Sequence, residues 1–387
     1  MSLGRLVFFL INLVLPISSF AQTINYLNRA PKGLLLGDAY TAAVDDEYGQ
    51  YYNPASLARS RDFSFTPFQA DFGLTNVLAE QERYKDFPKK DAVAIADRVM
   101  GVPLYAHAAT SPSIKMAGFG FSLLASQNAN VILRDKTTPV IDIDYRYDRG
   151  YVAGYAFSFG KGKPKKKKTK KKDKGASTFT GEQTSFGYNY KSIYRDSLVG
   201  TFPLFGTELI NIISASGSLD YHSIRNQLGY SRGHGIGHDV GMEHTIWKGN
   251  TELNFGLSVM DVGNTRFKRT EGIGDIPDQQ MMVMSGVSFK QDWAFFDYRF
   301  SFDLQPLNLP IEFNRKVHAG FEVGPKIVKL LAGYNGGYLS YGAIVDLFLI
   351  RVMAGFYGVE TGTKFRQAES KRALIYFSLL DFSFDVL

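Results

Sequence analysis

The sequence predicts an all-β fold: a transmembrane antiparallel β-barrel of about fourteen strands, with an N-terminal hatch inside the lumen and short helices in the extracellular loops. Three observations predict it. Apolar residues recur with period two through most of the chain, turn residues punctuate that alternation at strand-length intervals, and no uncharged stretch of eighteen apolar residues follows the N-terminal segment.

Residues 1–21 read as a signal peptide. "MSLGRLVFFLINLVLPISSFAQ" has one Arg, an apolar run from Leu6 to Leu15, Pro16 as a helix breaker and small residues before Ala21. That run is too short to span a bilayer of roughly 30 Å, and cleavage after Ala21 implies export. The chain contains no cysteine, which excludes a lipid-anchor cysteine, a disulfide framework and thiolate metal sites. Its formal charge of +7 comes from one segment, since Lys161 to Gly175 holds ten lysines in fifteen residues. A globally basic nucleic-acid footprint is therefore absent.

The strands follow from the alternation. Leu253, Phe255, Leu257 and Val259 oppose Glu252, Asn254, Gly256 and Ser258, and Phe186, Tyr188 and Tyr190 oppose Ser185, Gly187 and Asn189. The same rule places strands near 61–74, 115–124, 128–134, 141–160, 178–194, 235–248, 252–263, 280–290, 292–304, 317–323, 326–334, 339–348, 350–358 and 372–385. A soluble sandwich would also alternate; the export signal and the Tyr and Phe on the apolar faces favour a barrel in the outer membrane of a Gram-negative bacterium. Tight turns at 248–250, 290–292 and 324–326 face the periplasm. Longer loops at 75–114, 195–234, 264–279, 305–316 and 360–371 face out. Two of these loops carry helical apolar faces, Val93, Ala96, Val99 and Met100 in one and Phe205, Leu209, Ile212 and Ile213 in the other. They either pack over the barrel mouth or form a hydrophobic capture groove.

Residues 22–60 alternate poorly and precede the barrel proper, 61–387. "GLLLGDAYTAAVDDEYGQYYNPASLA" is rich in small residues, and its backbone polar groups are best satisfied inside the lumen. Pro54 fixes its own φ and biases Asn53 to an extended shape, so Asn-Pro makes a pivot. Asp45 and Asp46 either pair with lumen arginines such as Arg299 or cap a turn. Through Gly37, Ala39, Tyr40, Ala42, Asp45, Asp46, Tyr51, Asn53, Pro54, Ala55 and Leu57 the segment resembles the FadL-like outer-membrane family, which includes long-chain fatty-acid transporters and PorV-type barrels of secretion systems. Ser56 stands where that pattern usually has Gly, and the chain ends "FDVL" instead of on an aromatic. The resemblance implies a fourteen-stranded barrel with an N-terminal hatch and a small hydrophobic ligand, such as a fatty acid, admitted from outside. A PorV-like scaffold that docks secreted or envelope proteins is the alternative.

Catalytic and cofactor signatures are absent. "SRGHGIGHDVGMEH" does not satisfy G-x-G-x-x-G, and His234 and His238 stand four apart in a Gly-rich segment that is no helix. No G-x-S-x-G elbow occurs. The expectation is a protein with no cofactor, no metal and no catalytic residue, in contact with outer-membrane lipid and lipopolysaccharide. Residues 161–175 join two clear strands and read as a disordered, solvated insertion. On the periplasmic side it would meet an anionic polymer or a protein partner; outside, it would meet lipopolysaccharide phosphates.

Overall fold

The computed structural model describes residues 24–59, 63–81, 85–88, 92–135, 137–162, 180–203, 225–293, 295–347 and 349–384. The strands are β1 (Phe63–Thr66), β2 (Phe68–Thr75), β3 (Leu104–Thr110), β4 (Ser113–Met116), β5 (Phe119–Arg134), β6 (Val140–Gly160), β7 (Thr180–Pro203), β8 (Ser231–Lys248) and β9 (Thr251–Met260), followed by β10 (Phe267–Gly272), β11 (Met282–Asp292), β12 (Phe296–Leu304), β13 (Val317–Pro325), β14 (Val328–Asn335), β15 (Tyr338–Asp346), β16 (Ile350–Glu360), β17 (Glu369–Leu379) and β18 (Phe382–Phe384). All belong to one antiparallel sheet.

The sheet closes into a barrel of fourteen staves. β1 and β2 form one stave interrupted at Pro67, β3 and β4 one interrupted at Ser111 and Pro112, and β17 and β18 one interrupted at Leu380, whose φ is +59°. Proline cannot donate to the ladder, so its staves break there. β10 lies outside the count, as a flap on the far end of β8. Closure comes from β17 on β2, with Leu379 opposite Phe68, and β18 on β1, with Phe382 opposite Phe65.

Which face is buried excludes the soluble sandwich. Along β9, Phe255 and Leu257 are each 46% exposed on the outside while Asn254 and Ser258 are buried within. On β7 and β8, Phe186, Tyr188, Val240 and Met242 point out, and Asn189, Lys191, Asp239 and Glu243 point in. A sandwich would bury the apolar rows; a membrane-spanning barrel turns them to lipid and keeps a polar lumen. Among the described residues no helix is long and apolar enough to cross a membrane.

Two expected boundaries are wrong, and their errors offset in the count. Residues 115–134 are not two strands split at "SQNAN": β5 runs unbroken, with Ser126, Asn128 and Asn130 continuing the alternation. The loop expected over 75–114 instead contains β3 and the start of β4; the outward row of β3, Leu104, Ala106, Ala108 and Thr110, has two alanines and a threonine and reads weakly in sequence. β7 also extends to Pro203 and β8 begins at Ser231, so both outrun the expected strands. The C-terminal described end lies on the side of the short turns, at 117–118, 249–250 and 326–327 and beside Trp293, Phe295 and Leu347, and Lys161 and Gly162, where the lysine run begins, open on that side too; the N-terminal described end, Ile24 and Asn25, lies on the other side, where Asn25 meets Asp144 and Gln279. The remaining lysines lie outside the described residues.

Candidate functional site: the lumen hatch and its two chambers

Residues 24–59 fill the lumen. A short helix, α1 (Pro31–Leu35), starts with Pro at its first turn, where the missing N–H costs nothing. It ends at Gly37 and Asp38, both at φ +64°. Only glycine fits at 37, since a Cβ there would stand 2.4 Å from the backbone N of Tyr334 and 2.6 Å from the carbonyl O of Ala319. Asp38 accepts from the Tyr52 hydroxyl at 2.8 Å and from Gln305 Nε2 at 2.9 Å, and pairs with Arg29.

Asn53 is extended, at φ −151° and ψ 105°, as a residue before proline prefers. Its Oδ1 accepts from the Ala55 N–H at 3.1 Å, capping the 3-10 turn Pro54–Ala58, while its Nδ2 donates to the Met242 carbonyl at 3.1 Å. The pivot is thus tied both to itself and to the wall.

That wall is cut away to receive the hatch. A Cβ at Gly187 would lie 2.3 Å from the Pro54 carbonyl carbon, one at Gly241 2.1 Å from Asn53 Oδ1, one at Gly256 3.0 Å from the Thr41 O, one at Gly320 2.5 Å from the Leu36 O and one at Gly333 2.1 Å from the Gly37 N. Five staves therefore present inward glycines where hatch backbone or the Asn53 side chain touches them. Sequence reading passed over them, although the signal was present: Gly187 and Gly256 fall on the polar face of their strands, among Ser and Asn.

The acidic pair divides its work. Asp45 lies 2.6 Å from Arg299 Nη2 and 3.0 Å from Lys32 Nζ, and Arg299 also donates to the Ala43 carbonyl at 2.7 Å. Asp46 accepts from the Tyr40 hydroxyl at 2.7 Å and from the Tyr48 N–H at 3.0 Å, capping the turn. Both candidate roles are filled, one by each acid. Burial works to raise the Asp45 carboxyl, but Arg299 and Lys32 outweigh it and hold it well below the usual carboxylate range. Burial, then repulsion from Glu47 and Asp45, pushes Asp46 up to about 7.

Further ties went unseen in sequence because their partners are remote along the chain. Arg59 ends the hatch by donating to Glu243 at 2.6 Å and to the Val44 and Ala42 carbonyls at 2.7 and 3.1 Å. Glu322 sits between Lys32 at 3.0 Å and Lys329 at 2.6 Å, and Glu47 pairs with Arg351 at 3.3 Å.

The hatch separates two chambers. The one towards the long loops, about 70 Å³, is walled by Leu27, Leu34, Tyr105, Tyr357 and Val359 on one part and by His107, Asp144, Arg146, Asp148, Arg195 and Arg372 on another. The one towards the short turns, about 230 Å³, is lined by Asp45, Asp46, Glu47, Lys115, Arg351 and Asp381 among others. Val99 closes the helix Ala92–Val99, and Met100 bridges to Leu133; both are half-buried and neither lines a chamber. The side chain of Val93, and Phe205, Leu209 and Ile213, lie outside what is described. His234 and His238 face outward from β8, bonded to Ser192 Oγ at 2.9 Å and the Tyr188 hydroxyl at 2.7 Å.

No family model matches the chain, and no curated protein does. Solved structures similar to it include the Pseudomonas putida toluene transporter TodX, at 9% identity over 94% of this chain and 100% of that one with a TM-score of 0.43. The Ralstonia pickettii toluene transporter TbuX matches at 11% identity over 92% of this chain and all of that one, TM-score 0.41. The monoaromatic hydrocarbon channel CymD matches at 12% over 94% and 99%, TM-score 0.38. The fourteen-stave assignment rests on this chain's own strand pairing; these structures are its neighbours in architecture.

Proposed function

We propose that the chain is an outer-membrane channel of a Gram-negative envelope that admits small hydrophobic molecules passively, with residues 24–59 as its gate. The observation that carries this reading is the docking of the hatch: a separate segment, seated on wall glycines and held by ion pairs, stands between two chambers. A permanent plug would need no chamber on either side. The outer chamber, about 70 Å³ with the hatch docked, is smaller than an ordinary small-molecule site, so a ligand fills it only as the hatch moves. Tyr105, Tyr357, Leu34 and Val359 supply it with an apolar wall, and Arg146 and Arg372 supply cationic groups for a carboxylate head, so a fatty acid is the first ligand to test. Gly37, Asp45, Asp46, Asn53, Pro54 and Ala55 serve as the docking points of the gate. The outer-loop residues Val93, Val99, Met100, Phe205, Leu209 and Ile213 serve capture, before the ligand enters the chamber. Uptake of labelled fatty acid into proteoliposomes tests this: protein-dependent uptake supports it, and equal uptake with and without protein refutes it.

One observation favours a second reading. Asp144, Arg146, Asp148 and Arg195 make much of the outer chamber polar, which suits a bare hydrocarbon poorly. A PorV-like scaffold, docking secreted or envelope proteins, needs no apolar path. Its mark is a stoichiometric protein partner retained through purification; the lysine run, whether it meets such a partner or an anionic polymer, is then the first segment to delete.

A further inference from the structure

The barrel's two halves end differently on the side of the short turns. At 248–250 the turn is Lys-Gly-Asn, and Lys161 and Gly162 are exposed, so that rim is polar. From the next turn round the rim, which begins at Asp292 bonded to the Asn250 carbonyl at 2.9 Å, the turns of β11–β12, β13–β14 and β15–β16 expose Phe295 at 86%, Ile327 at 57% and Leu347 at 57%. Trp293 stands half-exposed beside them, edge-on to Phe296 at 4.4 Å.

Strand length supplies the second observation. β12, β13 and β15 have nine residues each and β14 has eight. At about 3.3 Å per residue these strands run roughly 23 to 26 Å. Tilted by about 40°, they rise only about 18 to 20 Å, short of an apolar band about 25 Å tall. The outward rows are apolar to the last residue: Phe296 and Phe300 on β12, Val328 and Leu330 on β14, Ile350 and Val352 on β16. The apolar turns continue the lipid-facing wall where the strands stop. At the other end of β14 the turn is Gly336 and Gly337, which adds no apolar surface.

We infer that the turn residues Trp293, Phe295, Ile327 and Leu347 are embedded in the acyl region of the near leaflet, so that this half of the rim sits below the headgroups and the bilayer thins around it. The occupant of the exposed patch is lipid, because the patch is continuous with the lipid-facing wall and supplies the height that the strands lack. Lys326 at the turn can extend its ammonium to the headgroups while its stem stays among acyl chains. Arg351 neutralises Asp346 at 3.1 Å beside the third turn.

The inference rests on the barrel spanning a bilayer, and one control separates the two. Because the chain has no cysteine, nitroxide labels can be placed singly at Phe295→Cys, Ile327→Cys and Leu347→Cys in the full protein reconstituted in phosphatidylcholine vesicles. Asn250→Cys serves as the polar-rim reference and Phe300→Cys as the mid-wall reference. The expected result is an oxygen-to-nickel-chelate accessibility ratio at 295, 327 and 347 several-fold above that at 250 and approaching that at 300. Ratios equal to that at 250 would overturn the inference, as would low accessibility to both reagents, which marks burial against protein. A water-like value at 300 would overturn the membrane reading itself.

Discussion

Replacing Arg299 by alanine should release the hatch. Arg299 is 3% exposed and gives two bonds to the hatch, to Asp45 Oδ2 and to the Ala43 carbonyl. Removing one partner of a buried ion pair typically costs about 3 to 5 kcal/mol. Here the cost is smaller, because Lys32 remains 3.0 Å from Asp45 and the Asp45 side chain is one-third exposed. About 2 to 3 kcal/mol remains, within the range of one or two hydrogen bonds to charged groups. At 1.4 kcal/mol per tenfold, the undocked population rises about 30- to 140-fold. The assay is the rate at which a thiol reagent labels Ala55→Cys, a fully buried position in a chain without cysteines. Under conditions where re-docking outruns labelling, the rate follows the open population. A rate unchanged by Arg299→Ala would show that the pair does not hold the hatch.

Gly333→Val should leave the barrel assembled and the hatch undocked, because its Cβ would meet backbone atoms of Gly37 and Leu36 at 2.1 and 2.3 Å; heat-modifiable migration on gels reports the first and Ala55→Cys labelling the second. Asn53→Ala removes the cap on the Pro54 turn and should cost about 1 kcal/mol, a roughly fivefold rise in labelling at Ala43→Cys. Hatch docking should tighten as pH falls from 8 to 5. Asp46 titrates near 7 when docked, against an ordinary 3.8, so the docked form keeps a proton that the released form gives up in that window. Asp45, shifted downward, loses its contribution only at lower pH. Hydrogen exchange across residues 31–58 checks the trend, and Asp46→Asn should flatten it. Deleting residues 161–175 should leave barrel assembly intact.

The barrel was legible because its evidence is local. Leu257 out and Ser258 in is a statement about neighbouring residues, and the lipid-facing side of the pattern survives wherever the strand crosses acyl chains. Legibility failed where that environment ends: beyond the membrane, "SQNAN" lost its apolar row and looked like a loop, while β3 hid behind alanines. The Asp45 to Arg299 pair could be proposed because both residues stand out as charges in a lumen segment. Glu243 with Arg59, and the inward glycines, could not, since what defines them is contact across more than a hundred residues of chain.

A reversible tether between hatch and wall tests the gate most directly. A Cβ built on Gly241 falls 2.1 Å from Asn53 Oδ1, which places the two Cβ atoms within about 4.5 Å, the spacing a disulfide bridges. In proteoliposomes carrying Asn53→Cys with Gly241→Cys, fatty-acid uptake should stop under oxidant and return with reductant, while each single variant stays indifferent to both. Equal uptake by the oxidised and reduced double variant, with the disulfide verified by mass spectrometry, would contradict the hatch as the gate.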